Sequence, residues 1–293
     1  MYELIQAAEH TWYIQCPAKM GLWVPDGQTA VLIDSGGDKD AGRKVQKTLE
    51  AQGWTLGCIL NTHANADHNG GNALLQQRLQ APAFAPGIDA AITTYPILEP
   101  AFLYGGYPPK PLRNKFLLAQ PSRCQTLTEE NLPEGLTMLP LPGHSAGQMG
   151  FITPDGTAYL ADCLLGPEQL QLFNLPTIMH IARDLTVMES LRSLRCPVYV
   201  LAHKTSVTEL GPVIDANIAA IHDKGRRLLS CLTDGMTADQ WLYAYCRQEG
   251  IHTHDPFRIS VTQRNFLHLS GWLVDEGQVA LHHDLCVSRY SKV

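Results

Sequence analysis

Short apolar runs punctuated by turn residues open the chain. Residues 11–15, 21–24 and 30–34 are such runs, the last reading Ala30-Val31-Leu32-Ile33-Asp34 before Ser35-Gly36-Gly37, and they predict antiparallel strands. Asp38 then supplies a helix cap, helix-favouring side chains run to residue 52, and Gly53 stands just past the end, so an amphipathic helix is expected over 38–52. Cys58-Ile59-Leu60 reads as a short buried strand, with a further helix at 72–79. Between 95 and 122 the pattern dissolves into Pro, Gly and aromatic residues, as expected of a lid or of an insertion packed on the surface. Strand-like runs return at 136–139, 149–153 and 157–161, and a helix over 178–194 precedes a buried strand at 198–202. Helical spacing then dominates at 213–232, 238–247 and 258–273, closed by a short strand near 279–282. The expected organisation is a main domain over 1–208, carrying the insertion at 95–122, and a mainly helical C-terminal extension over 209–293.

Composition narrows the class. In 293 residues, 45% hydrophobic and 17% charged content describes an ordinary globular chain. Basic residues number 22 against 28 acidic, a formal charge of −6, with no run of five or more Lys or Arg; neither nucleic acid nor a membrane surface is an expected partner. No apolar stretch approaches the ~18 residues of a spanning helix, and Met1-Tyr2-Glu3-Leu4 is unlike a signal peptide, so a soluble cytoplasmic protein is expected. Eight widely spaced cysteines without a C-x-x-C pair fit reduced thiols there. The 12 histidines change the picture, because three or four at the right spacing hold a transition metal.

The segment Asn61-Thr62-His63-Ala64-Asn65-Ala66-Asp67-His68-Asn69-Gly70-Gly71-Asn72 leaves the strand at 58–60 and enters the next helix. Alternation in an extended segment sends residues 63, 65 and 67 to one side, and His68, opening the helix, can turn to meet Asp67. Imidazole nitrogen and carboxylate oxygen are ligands that Zn²⁺ accepts, and Gly70 and Gly71 allow close backbone approach. His144, Asp162 and His203 each end a strand-like run or sit in a tight turn, the placement that gathers distant side chains at one sheet edge. His10, His180, His222 and His268 read instead as core or surface residues. His252-Thr253-His254-Asp255 and His282-His283-Asp284 read as surface clusters of the tail, and Cys163 as a buried neighbour facing away from Asp162.

In this order, the segments around 34, 63–68, 144, 162 and 203 resemble the five motifs of the metallo-β-lactamase-fold hydrolases, over residues 10–205. The family pattern His-x-His-x-Asp-His reads here His63-x-Asn65-x-Asp67-His68, and Pro142-Gly143-His144-Ser145-Ala146-Gly147 is similar to the family's Pro-Gly-His-Thr/Ser-x-Gly turn. The resemblance, to the glyoxalase-II-like branch, implies an α/β fold: an αββα sandwich of two mixed β-sheets flanked by helices, with ligands on loops at one edge. It implies that His63 and His144 belong to one metal site, that Asp67, His68 and His203 belong to a second, and that Asp162 bridges them. Asp34 would support the ligand loop from behind. Asn65 stands where the family has a histidine; an amide oxygen is a poorer zinc ligand, so the second site is expected to hold its ion more tightly. Zinc, as one or two ions, is the expected cofactor, with iron or manganese as alternatives.

The resemblance further implies hydrolysis of an ester-like bond, whether thioester, ester, lactone or lactam, by metal-activated water. Asp67 would orient the attacking oxygen and accept its proton, and His203 would stabilise developing charge. Two rivals are a mononuclear iron enzyme that oxidises sulfur compounds and a non-catalytic binding module with a degenerate metal centre. A small-molecule substrate is expected, walled by Phe102, Tyr104 and Tyr107, with Lys204 available to an anionic group. The helical tail suits closure over that substrate or formation of a homodimer, and the residues do not choose between them.

Overall fold

The computed structural model describes residues 2–172, 174–203 and 206–293. Its first sheet has seven strands in sequential order: β1 (Glu3–Ala8), β2 (Thr11–Gln15), β3 (Met20–Trp23), β4 (Thr29–Ile33), β5 (Thr55–Leu60), β6 (Ala83–Ala85) and β7 (Cys124–Thr126). Strands β1 to β4 run antiparallel, as their short turns require, whereas β4 to β7 are parallel and joined by helices. Those helices are α1 (Lys39–Gln52), α2 (Ala66–Asn69), α3 (Asn72–Leu79), α4 (Gly87–Thr94) and α5 (Leu98–Tyr104). Helix α1 starts and stops where the sequence places its signals. Asp38 Oδ1 accepts the amides of Asp40 and Ala41 at 3.0 and 3.1 Å, and Gly53 ends the helix at φ 72°.

The second sheet comprises β8 (Thr137–Pro140), β9 (Met149–Ile152), β10 (Thr157–Tyr159), β11 (Val198–Val200) and β12 (Ser206–Val207), in the order β12-β11-β10-β9-β8. Only the β10–β11 pair is parallel among the described residues, with α6 (Pro167–Leu172) and α7 (Ile181–Ser190) in the crossover. Helices α8 (Gly211–Ser230), α9 (Ala238–Glu249) and α10 (Pro256–Asp275) follow, then the hairpin β13 (Val279–Asp284) and β14 (Val287–Lys292). Both sheets are mixed and flanked by helices, the four-layer sandwich that the resemblance implies.

Period-two alternation sorts the side chains into three apolar layers. In β4, Ala30 and Leu32 face the layer beneath α1, while Val31 and Ile33 face the second sheet. In β5, Ile59 joins the first of these layers and Cys58 and Leu60 the second. Tyr159 and Val200 complete the layer between the sheets, and Ala158 and Tyr199 point the other way, onto the tail helices. A one-residue slip in any of these strands would exchange its two faces, so the register is strongly specified.

Three readings differ in detail. The stretch 95–122 contains the seven-residue helix α5 and a 3-10 turn at Lys110–Leu112. Pro100 lies in the first turn of α5, where a missing amide breaks no intrahelical bond, so a proline that reads as a breaker is tolerated. The helix expected over 178–194 begins only at Ile181, because the amides of Met179 and His180 are both given to Gly143 O, each at 2.9 Å. The three-residue strands β6 and β7 are too short to show a period.

Candidate metal centre

Parallel pairing brings the ends of β4, β5, β10 and β11 to one edge of the sandwich. Asp34 follows β4, the 61–69 loop follows β5, Asp162 lies three residues past β10, and His203 three past β11; His144 arrives on the β8–β9 connection. Close backbone approach draws these loops together. A Cβ on Gly70 would collide with the backbone of Gly37 and one on Gly71 with Ser35 O, so the start of the ligand loop lies directly against the 35–37 turn.

Six of the sequence-derived candidates converge. His63, His144 and Asp162 form one group, and Asp67, His68 and His203 another; within each, the ligand atoms lie within 4.8 Å of one another. Asp162 spans both, with Oδ1 3.2 Å from His68 Nε2 and Oδ2 3.2 Å from His203 Nε2 and 3.8 Å from His144 Nε2. Asp67 Oδ2 lies 3.8 Å from His68 Nε2 and 3.7 Å from His203 Nε2. The carboxylates differ in access: the Asp67 side chain is 47% exposed and that of Asp162 only 9%, so solvent reaches the centre past Asp67.

The outer nitrogens of the imidazoles are already engaged. His203 Nδ1 donates to Pro17 O at 2.7 Å, His68 Nδ1 to Asp34 Oδ2 at 2.8 Å, and the His144 ring is tied to the Thr177 carbonyl. Asp34 reaches further. Its Oδ1 accepts the Thr62 amide and its Oδ2 the Thr62 hydroxyl, each at 2.8 Å, which leaves the Thr62 oxygen to accept from His63 Nδ1 at 3.0 Å. One buried carboxylate therefore sets the tautomer of both His63 and His68, turning each Nε2 inward as a lone pair. Asp34 does so from a left-handed conformation, φ 59°, that Asp tolerates better than most residues.

Inside the ring of ligands, His63 Nε2, His68 Nε2 and Asp162 Oδ1 are buried without a good hydrogen bond. Such atoms are costly to strand, and cations held by the two groups would satisfy them. Charge balance points the same way. Burial opposes a charged His68, but Asp162, Asp67 and Asp34 together hold it well above the ordinary histidine range; burial likewise opposes His203, yet Asp162 pushes it up to about 9. Burial and the positive neighbours His68 and His144 hold His63 well below that range. The carboxylates draw positive charge to the centre, and without a cation protons supply it. The donor set thus fits a divalent ion such as zinc.

Asn65 lies beside His144, a member of the first group. Its side-chain amide lies 3.2 Å from His144 Nε2 and makes no cap bond to α2. Phe102, Tyr104 and Tyr107, expected as a substrate wall, lie 61%, 56% and 73% exposed, with the Arg113 guanidinium over the Tyr107 ring. Lys204 lies outside the described residues.

Four polar residues of the site left no mark in the sequence. Asp89, buried on α4, accepts the Ala64 amide at 2.8 Å and lies against Gly147, so it braces both ligand loops; burial pushes its carboxyl up to about 6. Asp184 on α7 fills the space that a Cβ on Gly143 would need, and burial pushes it up to about 8. Glu99 on α5 is held well above the carboxylate range by burial and by the Asp67 charge, which Arg264 on α10 opposes. All four are single polar residues in ordinary helical sequence; an isolated Asp, Glu or Arg at an inward-facing position is their only signal.

A family model described as the metallo-beta-lactamase superfamily matches residues 18–203, a span that runs from the loop behind His203 to His203 itself. The chain belongs to the metallo-β-lactamase superfamily. Within it, a hydroxyacylglutathione hydrolase from Dechloromonas aromatica is 33% identical over 159 residues, covering 54% of this chain and 49% of that protein. An atrochrysone carboxyl ACP thioesterase from Passalora fulva is 26% identical over 189 residues, 63% of this chain and 47% of that protein. The chain spans about half the length of the curated relatives it matches. A beta-lactamase domain protein from Burkholderia ambifaria superposes over 99% of this chain and 94% of that one, with a TM-score of 0.73 at 17% identity, and a Thermus thermophilus family member over 97% and 99%, at 0.71 and 18%. The tail helices therefore have counterparts in the fold of these superfamily members. No helix among the described residues is long and apolar enough to cross a membrane.

Proposed function

We propose that this chain is a metal-dependent hydrolase of small-molecule thioesters or closely related esters. The observation that carries this reading is the ring of imidazole Nε2 atoms and Asp162, with the outer nitrogens of His68 and His203 tied by Asp34 and Pro17. The names of its relatives, two hydroxyacylglutathione hydrolases and a thioesterase, support the choice of thioester over lactam. His63, His144 and Asp162 would hold one cation, and Asp67, His68, His203 and Asp162 a second. Zinc bound there would supply a water far more acidic than bulk water, ionised near neutral pH, and would polarise the carbonyl.

The chain's own residues do the rest. Asp67, the carboxylate open to solvent, accepts the proton of the attacking water. Water adds to the carbonyl carbon, the carbon–sulfur bond breaks, and the proton passes to the departing thiolate, leaving acid and thiol. His203, fixed through Nδ1 by Pro17 O, would hold its Nε2 on the cation, whose charge would offset the negative charge that develops. Asn65 lacks an imidazole's donor strength, so the group containing Asp67 and His68 holds its ion more tightly.

A panel of acyl thioesters, esters and lactones assayed with and without a chelator tests this. Thioester cleavage should fall to background on chelation, return with zinc, and drop about a hundredfold or more in Asp67→Ala. Elemental analysis should find about one ion per chain, rising toward two in Asn65→His. Retained cleavage after complete metal removal would overturn the reading.

A further inference from the structure

The tail helix α10 lies against α5 and the 3-10 turn at Lys110–Leu112, and Phe116 meets Phe257 with ring centroids 5.8 Å apart. Insertion and tail thus form one cover. Asn265 fastens α10 to the loop behind His144, its amide donating to Thr177 Oγ1 at 3.1 Å. Arg264, the preceding residue, is near enough for its charge to act on His144, Glu99 and His268. Its Nε is buried with no hydrogen-bond partner, and it joins no ion pair within 4.0 Å among the described residues. Glu99, the acidic group opposite, approaches Asp67 and the start of α2 from the other side of the cover.

A half-buried guanidinium whose Nε is closed off from water without a hydrogen-bond partner is costly to keep, and the folded chain places it where its charge acts on His144 and Glu99 rather than in an ion pair. Its planar fork matches a carboxylate. We propose that Arg264 is the anchor for a carboxylate carried by the substrate close to the bond that is cut, so that the site selects carboxylated acyl thioesters over neutral ones of the same length. This rests on the hydrolase reading for the bond cleaved, but not for the binding of the anion. Arg264 has a reason to sit on the tail rather than on the metallo-β-lactamase core: specificity then resides in the cover and the chemistry in the sheet edge. Glu99 holds the space opposite until the substrate carboxylate enters it.

The test compares succinyl and butyryl thioesters of one small thiol, and measures separately the thermal stabilisation of the intact protein by succinate and by its neutral diamide, succinamide. The natural chain should prefer the succinyl substrate by about tenfold to a hundredfold in kcat/KM and be stabilised by succinate alone. Arg264→Met should lower succinyl cleavage at least about tenfold more than butyryl cleavage and abolish stabilisation by succinate, with metal content unchanged; Arg264→Lys should restore part of each. Glu99→Gln should strengthen stabilisation by succinate, which a purely structural pair would not do. Equal loss of both substrates in Arg264→Met and Arg264→Lys, or no succinyl preference in the natural chain, would overturn the anchor. If no thioester is cleaved but succinate still stabilises the natural chain and not Arg264→Met, the hydrolase reading fails and the anchor stands.

Discussion

Replacing Asp34 by Asn keeps the side chain's size and its tolerance of φ 59°, and removes one of the two equivalent acceptor oxygens. Three donors now compete for one carbonyl oxygen: the Thr62 amide, the Thr62 hydroxyl and His68 Nδ1, each at 2.8 Å in the natural chain. A hydrogen bond to a charged group contributes about 1.5–3 kcal/mol, so with at least one lost and the rest weakened the metal-free protein should lose about 2–4 kcal/mol. Freeing His68 to turn or change tautomer should weaken zinc binding about 10-fold to 100-fold, the usual effect of removing such a supporting partner. Asp34→Ala loses all three bonds and adds about 1–2 kcal/mol for a non-glycine side chain in a left-handed conformation. Urea unfolding of the metal-free proteins gives the first quantity, and competition with a chromogenic chelator the second. Zinc affinity within threefold of the natural chain in Asp34→Asn, alongside the stability loss, would refute the argument that Asp34 sets the imidazole tautomers and reduce it to a backbone support.

Two further outcomes follow from the walls of the site. Gly143→Ala places a methyl 2.6 Å from Asp184 Cα, so the turn bearing His144 must shift; the expected cost is about 1–3 kcal/mol in thermal or urea unfolding, with weaker binding of a second ion, and an unaltered midpoint would show that the turn is not wedged against α7. Asp184, pushed up to about 8 by burial, is neutral when folded and ionises near 4 when unfolded, so its contribution is full below about pH 4 and is lost as pH rises toward 8. Asp184→Asn should flatten the decline of metal-free stability between pH 5 and 8.5 relative to the natural chain, with a ceiling of about 6 kcal/mol at the upper end; parallel pH profiles would show that Asp184 ionises freely in the folded state.

Residues that act where the chain turns were legible in the sequence itself. The caps Asp38 and Gly53 bound α1, the alternation of Ala30 to Ile33 sorts β4 between two layers, and His63, Asp67, His68, Asp162 and His203 follow strands whose parallel pairing delivers them to one edge, which His144 joins from the tight turn between β8 and β9. These are local properties, carried by spacing of two or 3.6 residues and by turn chemistry, and need no knowledge of the rest of the molecule. What only the tertiary structure decided is which side chains meet across long stretches of sequence. Asp34 reaches Thr62 and His68, Pro17 supports His203 from 186 residues away, Asp89 braces Ala64, and Arg264 comes back from the tail to His144. Each is one polar residue whose flanking pattern is that of any helix or loop, and its role is created by packing, which buries it beside a partner chosen by topology rather than by sequence distance. The insertion shows the same division: its prolines and glycines mark a break in periodicity, but the seating of α5 against α10, and of Phe116 against Phe257, joins segments distant in sequence that meet only in the folded chain.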